Sequence, residues 1–132
     1  MTARQVYTRA LSLINERDGV GAYHTDVTDF EKNATEIINT IITLLLPSEC
    51  IIRGKKIRDL DTPFEGIKAL DDTIPLHDAL TSGVMPFYLA SVMILEEDSV
   101  RADYFMSLFR ESEERVVKGY SVASHSSVKN VY

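Results

Sequence analysis

Residues 76–109 read LHDALTSGVMPFYLASVMILEEDSVRADYFMSLF, and this stretch decides the fold class. Leu80, Val84, Phe87 and Ile94 recur at helical spacing and predict a helix from about Leu76 to Glu96. Pro75 suits the first turn of such a helix. Pro86 lies inside the pattern and removes the bond to the Ser82 carbonyl, so a kink or a broken start is expected near Gly83. Asp98 can cap a following helix from Ser99 to about Lys118, with Ala102, Phe105, Phe109 and Val116 as its apolar stripe and Gly119 at its end. The junction Glu97-Asp98 is short, so the two helices should pack antiparallel.

Two more helices are expected upstream. From Ala3 to Arg17, Val6, Ala10, Leu13 and Ile14 share one face before Asp18-Gly19-Val20-Gly21 breaks the pattern. From Thr28, a capping box with Glu31 precedes Phe30, Ala34, Ile37, Ile38, Ile41 and Leu45, and Pro47 is expected to stop that helix. The middle, residues 49–74, changes character. Cys50-Ile51-Ile52-Arg53 and Lys56-Ile57-Arg58 resemble short strands around Gly54, Asp61-Thr62-Pro63 is turn chemistry, and Ile67-Lys68-Ala69-Leu70 precedes an Asp71-Asp72 turn. The Ser-rich end from Tyr120 to Tyr132 cannot build a core alone. The expected fold is mainly α. Four main helices form a small bundle over 1–118, with a β hairpin or extended arm at 49–74 and an extended tail at 119–132.

Composition narrows the function classes. The 132 residues carry a formal net charge of -6, with 45% hydrophobic and 26% charged residues, which fits an ordinary globular domain and disfavours a phosphate-binding surface. A single cysteine, Cys50, excludes an intrachain disulfide and a cysteine-rich metal site. No apolar leader follows Met1, and the apolar run Ile41–Leu46 is too short to span a bilayer, so no membrane association is expected.

Chemistry-bearing patterns are weak. Arg53-Gly54-Lys55-Lys56 lacks the second glycine and the Ser or Thr of a phosphate loop. His24, His77 and His125 are not at metal-ligand spacing with one another. Asp71-Asp72 and Glu96-Glu97-Asp98 sit at element junctions, where capping accounts for them. Cys50 has no activating base nearby, and Ser124-His125-Ser126 lies in the weak tail. Tyr104, Phe105 and Phe109 are at core spacing rather than arranged as a stacking platform. No catalytic, cofactor-binding or metal residues are therefore expected, and no cofactor. The alternatives are a helical regulatory or protein-binding module acting as a homo-oligomer, and a small hydrolase using carboxylates near Asp98.

Residues 74–80 (Ile-Pro-Leu-His-Asp-Ala-Leu), 89–98 (Leu-Ala-Ser-Val-Met-Ile-Leu-Glu-Glu-Asp) and 102–109 (Ala-Asp-Tyr-Phe-Met-Ser-Leu-Phe) resemble the C-terminal half of bacteriophage head-to-tail adaptor proteins. In that family a proline-led helix carries a Leu-Ala pair, ends in acidic residues, and is followed by a helix with an aromatic A-x-x-F pattern. Ile57-Arg58-Asp59-Leu60 and Ile67-Lys68-Ala69-Leu70-Asp71 are similar to the family's short β segment. The likeness covers roughly residues 49–118, and Pro86 departs from the pattern. It implies a structural virion protein, assembled in the host cytoplasm into a ring, typically of twelve subunits, at the head–tail junction. The implied partners are the chain itself, the portal, the next tail or stopper component, and genomic DNA passing through the lumen without sequence-specific binding.

Intersubunit contacts are expected in the arm and the tail, through Arg53, Lys55, Lys56, Ile57, Arg58 and Leu60, and through Tyr120, Val122, Val128, Val131 and Tyr132. The arm's basic cluster is opposite in sign to the chain as a whole, and the tail spaces valines and tyrosines among serines.

Overall fold

The structure, a computed structural model, describes residues 1–15, 27–56 and 66–129, with side chains over 1–14, 33–56 and 66–120. Among these residues five helices follow in order: α1 Ala3–Asn15, α2 Val27–Arg53, α3 Asp78–Gly83, α4 Met85–Ile94 and α5 Ser99–Lys129. The mainly helical expectation holds. Among the described residues there is no strand, only an isolated antiparallel bridge between Thr2 and Thr73.

The core is one cluster drawn from every helix. Val6, Ala10 and Ile14 of α1, Ile38, Ile41 and Leu45 of α2, Leu80 of α3, Leu89 and Ile94 of α4, and Ala102, Phe105 and Phe109 of α5 are all buried. Each fully buried aliphatic side chain contributes about 1.5–3 kcal/mol of transfer free energy. The expected stripes supply most of these positions, although Phe87, Leu13 and Val116 are only partly buried. Helices α4 and α5 are antiparallel neighbours, as the short junction requires. The buried Ser91 hydroxyl donates to the Ala102 carbonyl between them at 2.7 Å.

Proline acts differently at its two helical positions. Pro86 does break its helix: Val84 leaves helical geometry between α3 and α4, and Pro86 sits in the first turn of α4, where its missing N–H costs nothing. The helix itself starts at Asp78 rather than at Leu76, with His77 as its N-cap.

Pro47 does not stop α2, which runs on to Arg53. Pro47 is exposed, so its ring and the Thr43 carbonyl that it leaves without an intrahelical donor lie at the surface. Leu45, Leu46, Ser48 and Glu49, on either side of it, are buried, and their packing carries the helix through. Cys50-Ile51-Ile52-Arg53 is therefore helix, not strand.

Gly54 ends α2 at φ +64. The Gly54 N–H donates to the Ile51 carbonyl and the Lys55 N–H to the Cys50 carbonyl, at 3.3 and 3.0 Å, which is a Schellman cap. The rest of the expected hairpin, Ile57, Arg58 and Leu60, lies outside the described residues, as does the Asp61-Thr62-Pro63 turn.

Ile67-Lys68-Ala69-Leu70 is also not a strand. The Lys68 and Ala69 N–H groups donate to the Asp72 carboxylate at 2.8 and 3.0 Å, which folds the chain into a turn in place of a ladder. These bonds, the Lys68 one foremost, hold the Asp72 carboxyl below its ordinary pKa. The turn in turn caps α1. The Ala3 and Arg4 N–H groups, unpaired within the helix, donate to the Asp72 and Leu70 carbonyls at 3.0 and 2.7 Å. Thr2 and Gln5 complete that end as a reciprocal capping box. The expected box at Thr28 and Glu31 falls on side chains outside those described.

Helix α5 does not end at Gly119 but continues to Lys129, so 119–129 is helical rather than an extended tail. Gly119 lacks the positive φ of a cap, and a methyl group added there would have no other atom within 4 Å. Gly119→Ala is expected to raise the unfolding free energy by about 0.5–1 kcal/mol, because alanine is the better residue in an exposed helix interior. A fall in the denaturation midpoint would place the helix end back at Gly119.

Candidate interaction surfaces

Buried polar groups tie the helices together and fix what each surface presents. Glu49 is 2% exposed. One of its oxygens accepts the Arg53 Nε–H and the other the His77 N–H, both at 2.9 Å. His77 Nδ1 accepts the Ala79 N–H at 3.1 Å, and Nε2 faces the Tyr120 hydroxyl at 3.3 Å. A ring accepting at Nδ1 is neutral with its hydrogen on Nε2, so His77 donates to Tyr120. The end of α2, the start of α3 and the far half of α5 thus meet at one polar joint.

Arg101 forms a second joint. Its guanidinium donates to the Leu13 carbonyl at 2.9 Å, at the C-terminal end of α1, and lies 5.3 Å from the centroid of the Phe105 ring. The Asp98 carboxylate accepts the Arg101 backbone N–H at 3.0 Å and caps α5, as its position predicts. Arg9 caps α3 in the same manner as Arg101 caps α1, donating to the Ser82 carbonyl at 2.7 Å.

Between α1, α4 and α5 lies a groove of about 570 Å³, bounded by Leu13, Phe87, Val100, Tyr104 and Leu108, with Asp98 and Arg101 as its charged members. Val100 is 80% exposed and Tyr104 59%. A groove of this composition suits an apolar or aromatic side chain of a partner better than a carboxylate pair at work on water. Glu96 and Glu97, the other carboxylates of the acidic junction, are exposed and do not line it.

The other sequence candidates are dispersed. Arg53 is held by Glu49, and Lys55 and Lys56 are exposed just beyond the α2 cap. Tyr120 reaches back to His77, which leaves it 40% exposed. Val122 and Val128 lie on α5 with side chains outside those described, and Val131 and Tyr132 lie outside the described residues. His24 and His125 likewise fall outside the described side chains. Cys50 is half-buried on α2. Among the described residues no group of His, Cys, Asp and Glu is placed to hold a metal ion.

With Pro47 inside it, α2 includes a stretch, Asn33–Arg53, long and apolar enough by length and composition to cross a membrane. Expecting a stop at Pro47 hides this length. In the bundle, 39% of that stretch is buried, and it serves as the core helix.

Three structural contacts are not foreseen from the sequence. Glu49 and Arg53 become visible as an i, i+4 pair once α2 is extended. Thr2 and Gln5 carry the capping-box spacing. Arg101 has no sequence signal at all. Comparison with protein families, curated proteins and solved structures finds no match to this chain.

Proposed function

We propose that this chain is a structural assembly subunit, one copy of a ring that joins the portal of a phage head to the tail. It works by contact and carries out no reaction. The observation that carries this reading is the unit formed by α3, α4 and α5. Within the stretch that resembles the adaptor family, α4 and α5 pack antiparallel across the acidic turn and α5 buries Ala102, Phe105 and Phe109, while the break at Val84 departs from the family's pattern.

At the tip of this unit Leu95, Val100 and Tyr104 are exposed, beside the groove that Phe87 and Leu108 line. Apolar residues gathered at one end of a helix pair are what a neighbouring subunit grips. The basic residues at the end of α2 and just past it (Arg53, Lys55 and Lys56) and the far end of α5 are further contact regions in this reading. Genomic DNA passes through the lumen without being read, and assembly takes place in the host cytoplasm.

The test is to mix the purified chain with portal rings from the genome that encodes it and to image the mixture by electron microscopy. An added ring of density on one portal face is the expected result. Bare portals at saturating chain concentration would overturn the reading.

A further inference from the structure

Among the described residues, helix α2 buries one side in the bundle and nothing covers the other. Thr40, Thr43, Leu44, Pro47 and Ile51 stand exposed on that side, and Ile37, partly buried against the core, stands at its edge. Leu44 and Ile51 are each 49% exposed, which is unusual for large aliphatic residues on a core helix. The two threonines add little polarity. Thr40 donates its hydroxyl to the Glu36 carbonyl and Thr43 to the Asn39 carbonyl, both at 3.1 Å, so the methyl group is what each offers to a neighbour. Between Glu36 and Arg53 the one charged residue is Glu49, and it is buried in the bundle. This face therefore carries no charge over its whole middle.

The pattern on this face is a palindrome. Ile37 precedes Leu44 by the same seven-residue step by which Ile51 follows it. Seven residues are close to two helical turns, so the three side chains stay on one side over roughly 20 Å. Turning a second copy end for end about Leu44 sets Leu44 against its own counterpart, and Ile37 of each copy against Ile51 of the other.

Charge selects the same arrangement. The N-terminal end of the face carries exposed Glu36, and exposed Lys55 and Lys56 follow its C-terminal end, whereas Arg53 is held by Glu49 on the bundle side. End-for-end pairing puts the acidic end of one copy beside the basic end of the other, whereas parallel pairing puts like ends together.

The geometry points to an antiparallel, twofold α2–α2 contact with a second copy of this chain as the occupant of this face. Such a contact is isologous: it closes on itself and cannot propagate around a ring. It joins subunits back to back and is separate from any ring contact, so it stands or falls independently of the head-to-tail reading.

Cysteine cross-linking in a Cys50→Ser background tests it. Leu44→Cys should form a disulfide-linked dimer on mild oxidation. Ile37→Cys alone and Ile51→Cys alone should cross-link poorly, while an equal mixture of the two should give the mixed dimer. In sedimentation equilibrium the unaltered chain should associate in pairs, and Leu44→Glu should remove that association with the helical circular-dichroism spectrum unchanged.

Preferential self-cross-linking of Ile37→Cys would show parallel pairing and overturn the proposal. So would an unaltered chain that stays monomeric, or a Leu44→Glu chain of unchanged mass. Flotation with phosphatidylcholine vesicles separates the remaining occupant. A chain that is monomeric in solution and floats with vesicles through a Leu44-dependent contact would assign this face to lipid instead. Failure to decorate portal rings, with the cross-linking pattern intact, would strike the proposed function and leave this contact standing.

Discussion

Phe105→Ala is expected to lower the unfolding free energy by about 3–5 kcal/mol, the range for deleting a fully buried aromatic side chain. Phe105 is buried on α5 at the meeting of α1, α4 and α5, and it is also the wall of the exposed groove. Its ring supports the Arg101 guanidinium at 5.3 Å and touches the Tyr104 ring, with 5.8 Å between centroids. Truncation removes the transfer free energy of the ring and leaves a cavity under Arg101. That guanidinium must then hold the Leu13 carbonyl with one flank unpacked. The groove cannot collapse to refill the space without moving the end of α1, because Arg101 pins it. In urea the midpoint should fall with the slope unchanged. A loss under about 1 kcal/mol would mean that the α5 stripe is not packed as described. Phe109, paired edge-on with Tyr88 at 5.1 Å between centroids, is the matching site one turn further along.

The helical stripes are readable because burial repeats with the helical period, and Ala34, Ile38, Ile41 and Leu45 show this most clearly. What the sequence hides are places where tertiary contacts overrule a local rule. Pro47 reads as a stop because proline works against helix in its neighbour, yet buried Leu46 and Glu49 hold the turn on each side of it. Ile51 and Ile52 read as strand because β-branched pairs favour strands, but Ile52 continues the buried register of Leu45 and Glu49 and Ile51 the outward one of Leu44. Gly119 reads as a cap because glycine is common past a helix end, whereas the glycine that does cap a helix with positive φ is Gly54. The surfaces are less legible than the fold. Leu44 and Val100 lie outside the apolar stripes of their helices, and the packing shows how far each is exposed.

Gly66→Ala is expected to destabilise the fold by about 2–4 kcal/mol, and the reason lies in a contact with a distant part of the chain, on α2. Gly66 has φ +69, where any other side chain is strained. A methyl group there would also sit 2.5 Å from Asn39 Oδ1. Side chains often step aside from such a clash, but Asn39 cannot. Its Oδ1 accepts the Ile67 N–H at 2.7 Å and its Nδ2 donates to the Ile67 carbonyl at 3.0 Å. This two-point clamp fastens the connector before α3 to the middle of α2, and rotating the amide away breaks both bonds.

A double-mutant cycle separates the two costs. Asn39→Ala alone should cost about 1–3 kcal/mol, because it leaves the part-buried Ile67 backbone groups unpaired. With Asn39 already truncated, adding Gly66→Ala should cost only the strain of positive φ, about 1–2 kcal/mol. The two substitutions together should therefore be milder than the sum of the singles by about 1 kcal/mol or more. Strict additivity would mean that the alanine methyl never meets Asn39, and that the connector is held to α2 by something other than this amide.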